Sequence, residues 1–242
     1  MIARLRYWWA ILFLVPWTIL CSLVVILLRL LTFNERWGAR MGRVWAGSLL
    51  WVSGVRLKIN GRDNVDPRGQ YIFIANHTSA FDIPALMWGL HNQLGMLSKI
   101  ELSYVPIFGW AMWAAGHFFV NRKDHQKAMG VMDQVAATLQ RHRHRSLVIF
   151  PEGTRSLDAQ LQPFKKGAFL LAMDTGIPVV PVVINGAFKA KSKYARAIEA
   201  VIIELDILPP MDPSTFSYKT RDAFVNETVA QFQRIYRPPE AI

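Results

Sequence analysis

Tyr71-Ile72-Phe73-Ile74-Ala75-Asn76-His77-Thr78-Ser79-Ala80-Phe81-Asp82 is the stretch on which the fold turns. Its first five residues form an apolar run that reads as a buried strand, and a polar loop with a histidine and a carboxylate follows at once. The same grammar recurs twice. Residues 118–120 lead into Asn121-Arg122, and residues 147–150 lead into Pro151-Glu152-Gly153-Thr154-Arg155-Ser156. In an open parallel sheet, groups just past the carboxyl ends of strands converge on one crevice. A histidine with a carboxylate and two arginines would then face one another, a site for moving a proton beside an anionic substrate. A fourth block, Ile177-Pro178-Val179-Val180-Pro181, reads as a strand entry with its prolines at an edge or first position.

Outward from these blocks, short β-rich runs alternate with helical stretches, which predicts an α/β fold. Strands are expected at 55–59, 71–75, 94–97, 118–120, 147–150, 179–184 and 201–207, and helices at 82–90, 105–115, 124–141, 165–174 and 221–236. With 242 residues the chain suits one catalytic domain, residues 55–242, and an N-terminal anchor, residues 1–54.

The anchor announces itself by composition. Residues 7–28 carry no charge and are flanked by Arg4, Arg6 and Arg29. As a helix this run extends about 33 Å at roughly 1.5 Å per residue, enough to cross a hydrocarbon core. Residues 37–52 follow with apolar groups at helical spacing, and Trp8, Trp9, Trp17, Trp37, Trp45 and Trp51 all precede the sheet. Such rings favour the headgroup level, so a true span and a helical pair dipping into one leaflet both remain open. The net charge of +11 fits an anionic membrane surface; the long uncharged run argues against nucleic acid as the partner. A single cysteine, Cys21, excludes a disulfide framework and a Cys-rich metal site.

Chemically, His77 can accept and return a proton near neutral pH, and Asp82 can fix its tautomer by accepting from the far ring nitrogen. That pairing needs His77 in the loop and Asp82 in the first helical turn, with Thr78 or Ser79 capping. Asn76 either holds the loop or binds the reacting carbonyl. Gly153 lets the 152–155 turn point N–H groups outward, and Arg155 offers a planar fork to phosphate. Arg122, Lys99, Lys165 and Lys166 are further cations expected near the crevice. Arg141, His142, Arg143, His144 and Arg145 read as a solvated basic loop without a carboxylate partner. No Walker loop and no G-x-S-x-G elbow occurs.

Taken together, the four blocks resemble the glycerolipid acyltransferases, specifically the 1-acyl-sn-glycerol-3-phosphate (lysophosphatidate) acyltransferases, over residues 55–184. The resemblance implies a mixed, largely parallel sheet flanked by helices, with an N-terminal membrane-binding helical pair. It implies that His77 and Asp82 form the catalytic dyad, and that Arg122, Glu152, Gly153, Thr154 and Arg155 serve substrate binding. Lys99, in Lys99-Ile100-Glu101-Leu102, joins them at the phosphate. Asn121 stands where many family members carry Asp. The implied substrates are lysophosphatidate and an acyl thioester of acyl carrier protein or CoA, with no metal and no bound cofactor. The implied place is a bacterial inner membrane, with the catalytic domain on the cytoplasmic side. Acylation of another lysolipid, such as a lysophospholipid or lyso-ornithine lipid, is the rival within the class. A non-catalytic membrane scaffold is the rival outside it, and the paired His77 and Asp82 argue against that.

Overall fold

A computed structural model describes residues 1–121 and 124–239. Its centre is a seven-stranded sheet in the order β1-β7-β6-β2-β5-β3-β4. The strands are β1 (Arg56–Asn60), β2 (Ile72–Ala75), β3 (Gln93–Lys99), β4 (Phe118–Val120), β5 (Arg145–Ile149), β6 (Val179–Asn185) and β7 (Ile202–Ile207). All neighbours run parallel except β6 and β7, so the sheet is mixed and largely parallel.

Every residue of β2 is buried, because both faces of the sheet are covered. Phe73 and Ala75 point into a core shared with Val148, Val180 and Val182. Ile72 and Ile74 point into the opposite core with Leu147, Ile149 and Val183. The first core is closed by α2 (Arg36–Val52) and α3 (Asp82–Gly89) through Leu49, Leu50, Leu86 and Leu90, joined by Ala10 of α1 (Ile2–Thr32). The second is closed by α5 (His125–Arg141), α6 (Gly167–Thr175) and α8 (Arg221–Ile235), through Leu139, Phe169, Phe224 and Phe232. Burying a side chain such as Phe73 contributes about 1.5–3 kcal/mol, so the two faces of the sheet dominate the stability of the fold.

The helix expected at 105–115 is shorter. A 3₁₀ turn covers Ile100–Tyr104, and α4 spans only Phe108–Ala114. Pro106 disfavours helix in the residue before it, and Ile107 takes φ 64°, a strained value for a β-branched residue that breaks the run. In the fourth block Pro178 stands at the entry of β6 as expected, but Pro181 lies inside the strand. Strand β6 is interior, between β7 and β2. Pro181 is tolerated because it lies one residue beyond Val182, where the β7 ladder ends, and there needs only its carbonyl, which accepts from Leu208 N–H.

Helix α1 is bound to the rest of the molecule along its whole length. Near its start, Ala3 O accepts from Ile198 N–H and Arg6 donates to Ile198 O. In its middle, Trp17 donates to Ser48 at 2.9 Å, and Trp45 of α2 donates to Thr18 at 2.9 Å. Further on, Val25 packs with Ala111 and Ala114 of α4. Its last turn pairs Arg29 with Glu35. The outer side, including Leu12, Val15, Leu23, Leu27 and Leu30, is exposed. It is the one helix among the described residues long and apolar enough to cross a membrane.

Arg145 corrects another expectation. Its side chain is buried at the first position of β5, donates to Glu35 at 2.9 Å, and donates to Gly116 O. The carboxylate that the local sequence lacks is supplied from 110 residues away. The short helix α7 (Ala187–Ala190) opens the 187–199 segment that leads into β7.

Candidate active site

Strand β2 stands between β5 and β6; its carboxyl end is level with that of β5, where Ile74 pairs with Ile149, while β6 runs on to Asn185 past Val182, the partner of Ala75. The chain leaves β2 toward β3 on one side, and leaves β5 toward β6 on the other, so the loops after β2 and β5 flank a switch-point crevice. His77 and Phe150 are therefore neighbours, and their rings stack with centroids 4.0 Å apart and 18° between planes.

His77 Nδ1 lies 2.8 Å from Asp82 Oδ2. That oxygen also accepts the backbone N–H groups of Thr78 at 2.7 Å and Ser79 at 2.8 Å. A carboxylate can only accept here, so Nδ1 carries the proton and Nε2 presents its lone pair. Asp82 is wholly buried and opens α3. The expected cap is reversed: neither Thr78 nor Ser79 caps the helix, and Asp82 takes their amides instead. Ser79 Oγ donates to Lys191 O, tying this loop to the 187–199 segment.

The loop after β5 grips His77 from the other side. His77 N–H donates to Glu152 Oε1 at 2.8 Å, and Ser156 N–H donates to His77 O at 2.9 Å. Glu152, assigned to the phosphate by resemblance, is instead buried and holds the backbone of His77. Burial pushes its carboxyl up to about 7, with the nearby Asp82 charge adding to the rise and the His77 N–H opposing it. Asn76 is wholly buried as well. Its amide exchanges two hydrogen bonds with the backbone of Ile184, at 2.9 and 2.7 Å, so it fastens β2 to β6 and does not face a substrate carbonyl.

Gly153 takes φ 75°, as the turn reading requires, but its N–H donates to Phe150 O within the turn and does not point outward. A Cβ at this position would stand 3.0 Å from Lys165 Nζ, so the lysine lies against the glycine. Thr154 is exposed and 3.4 Å from Lys193 Nζ. Arg155 is partly exposed, and Lys191 lies near enough that burial first, and the Arg155 charge second, hold its ammonium below the usual lysine range. Arg155, Lys165, Lys191 and Lys193 thus gather on one side of the His77 loop. Lys191 and Lys193 carried a faint signal, the Lys189-Ala190-Lys191-Ser192-Lys193 alternation, but nothing in sequence links it to residue 155. Lys99 ends β3 on the same edge of the sheet, half exposed and paired with Glu101 at 2.8 Å. Lys166 turns away to Asp222. Arg122 lies outside the described residues.

Residues 56–185 match the acyltransferase family profile, more than half of the chain. The chain belongs to the acyltransferase family. Among this family's members, a 1-acyl-sn-glycerol-3-phosphate acyltransferase from Limnanthes douglasii is 30% identical over 203 residues, covering 84% of this chain and 71% of that protein. The human 1-acyl-sn-glycerol-3-phosphate acyltransferase alpha is 33% identical over 161 residues, covering 66% of this chain and 56% of its own. The chain thus spans little more than half the length of that animal relative. The crystal structure of the 1-acyl-sn-glycerophosphate (LPA) acyltransferase PlsC from Thermotoga maritima superposes with a TM-score of 0.82, covering 96% of this chain and 95% of that one. At 22% identity it speaks for the fold.

Proposed function

We propose that this acyltransferase moves a fatty acyl group from an acyl thioester to the 2-hydroxyl of 1-acyl-glycerol-3-phosphate, giving phosphatidate. The observation that carries the reading is the Asp82–His77 pair, 2.8 Å apart, beside the cations around Arg155. His77 Nε2 takes the proton of the acceptor hydroxyl as its oxygen attacks the thioester carbonyl. The tetrahedral adduct then expels the thiolate, which receives that proton from His77. Asp82 stabilises the imidazolium between the two transfers, and no covalent acyl-enzyme is needed. Arg155, with Lys193 beside Thr154, holds the phosphomonoester, Lys99 adds a further cation, and Arg122 is assigned the same role by its place in the sequence. Soluble donors of either kind, acyl carrier protein or CoA, are anionic and suit the +11 chain.

The division of labour between residues 1–54 as anchor and 55–242 as catalyst is one of role. Because α1 is fastened to α2, α4 and the 187–199 segment from end to end, a perpendicular crossing would drag the sheet into hydrocarbon. We therefore read the helical pair as immersed in one leaflet, at the cytoplasmic face of a bacterial inner membrane where soluble thioesters arrive.

Purified protein in lipid discs, supplied with lysophosphatidate and each donor, tests this. Phosphatidate should form, a phosphomonoester acceptor should be preferred over lysophosphatidylcholine or a lyso-ornithine lipid, and His77→Ala should abolish turnover in a folded protein. Near-wild-type transfer by His77→Ala would remove the base.

A further inference from the structure

The opposite end of the sheet carries a second cationic cleft that acyl transfer does not use. Strands β2, β5, β3 and β4 run parallel, so their amino ends face away from His77. Five-residue β5 alone separates the two ends by about 17 Å at roughly 3.3 Å per residue. There a cavity of about 410 Å³ is lined by Arg36, Arg40 and Arg43 of α2, with Arg68, His91 and His144. No carboxylate is among its described lining residues.

Three features make this arrangement costly as it stands. First, α2 opens on Arg36 with no acidic residue in its first turn, the end of a helix that favours anions, and Arg40 and Arg43 follow along the same lining. Two acids border the cleft and both are engaged: Glu35 with Arg29 and Arg145, and Asp66 with the backbone N–H of Arg68. Second, the cationic surroundings reach the histidines. Burial first, then the charges of Arg62 and Arg43, hold His91 below the usual imidazole range. Burial, then Arg36, His142 and Arg145, do the same to His144 against the opposing pull of Glu35. Third, buried polar atoms without partners gather in the same lining: Arg43 Nε, Gln93 Nε2 and Asn92 Oδ1. Native interiors rarely leave such groups unpaired, and sites that break local rules together tend to serve a ligand.

We propose that this cleft binds a phosphate-bearing anion, at a site separate from the catalytic crevice. Arginine forks match phosphate oxygens, and an anion here offsets both the crowded guanidinium charge and the α2 dipole. The phosphate has two sources of the same chemistry: the headgroup of an anionic phospholipid, or free phosphate in solution. The cavity has room for a phosphate with a short polyol attached, and Asn92 supplies an acceptor that a bare anion would leave unanswered.

The test uses the full chain in discs of neutral phosphatidylcholine. In one arm inorganic phosphate is titrated against chloride at matched ionic strength, reading thermal unfolding. In the other, discs contain phosphatidylglycerol, and lipid retained by the protein is read by native mass spectrometry. The double variant Arg36→Gln/Arg68→Gln changes two exposed side chains that make no ion pair among the described residues, so the fold should survive. Arg234→Gln, far along α8, controls for loss of charge. One arm should show saturable binding that weakens about tenfold or more in the double variant and not in the control. Saturation by inorganic phosphate assigns the site to the free anion; retention of phosphatidylglycerol alone assigns it to the headgroup. Acyl transfer on detergent-dispersed substrate should stay within about twofold throughout, because the cleft lies a strand's length from His77. Absence of saturable binding in both arms, or equal binding by the double variant, overturns the proposal.

Discussion

The two ends of one largely parallel sheet both carry exposed cations, but they bury groups of opposite kind. Past the carboxyl ends, the buried carboxylates Asp82 and Glu152 surround His77, and burial lifts Glu152 to about 7. Toward the amino ends, Arg145 is buried, and desolvation with the Arg145 charge pushes His117 down to about 4. Desolvation is the same physical cause in both places; it opposes whichever form is charged, so acids rise and bases fall. The lesson is that the strands separate an end that buries acids beside an imidazole from an end that buries a guanidinium.

The largest expected effect comes from breaking the first end. Asp82→Asn keeps the shape but allows Nδ1 to be met by an amide N–H, leaving the wrong imidazole tautomer, so kcat should fall by about 10³-fold or more. Steady-state assays with lysophosphatidate check this, and a loss below tenfold would separate Asp82 from catalysis. At the other end, Arg145→Ala leaves Glu35 with Arg29 alone and frees the Gly116 carbonyl, and should destabilise the fold by about 3 kcal/mol. Denaturant titration in detergent reads that, with kcat per folded molecule retained.

A smaller effect sharpens the substrate side of the comparison. Arg155→Ala should raise KM for lysophosphatidate by about tenfold to a hundredfold, as loss of a charge-assisted contact does, with a lesser change for an uncharged acceptor. An equal rise for both acceptors would remove Arg155 from the phosphate.

The smallest effect tests the opposition directly through pH. Glu152 keeps its proton to about 7 in the folded state and loses it near the ordinary 4.5 when unfolded, so its contribution to stability falls as pH rises between those values. His117 remains neutral down to about 4 when folded but takes a proton near 6.5 when unfolded, so its contribution rises with pH over that window. Between pH 4.5 and 6.5 the two slopes oppose. Glu152→Gln should leave a stability that climbs with pH, and His117→Gln one that declines, measured as denaturation midpoints at three pH values.

Much of this fold was legible in the sequence because strands buried on both faces have little choice of residue. Phe73 and Ile74 face different cores, yet both must be apolar, so β2 stands out as a run. His77 and Asp82 were legible as a local pair, five residues apart with a helix start between them. What was not legible depends on contacts between distant segments. The Glu35–Arg145 pair joins α2 to β5; Pro181 survives inside the sheet only because the β7 ladder ends there. Glu152 and Asn76 look like surface polar residues until the backbone of His77 and of Ile184 comes to meet them. The Gly153 amide was expected to face a substrate, and only the closed turn reveals that Phe150 takes it.

The lashing of α1 has a mechanical consequence. Its first turn holds Ile198, and the same 187–199 segment holds Ser79 through Lys191 O, two residues from the imidazole. On the single-leaflet placement proposed above, the depth of the apolar rod sets the height of the His77 ring above the acyl tails. A thicker or thinner leaflet should change turnover without touching a single group that handles the proton.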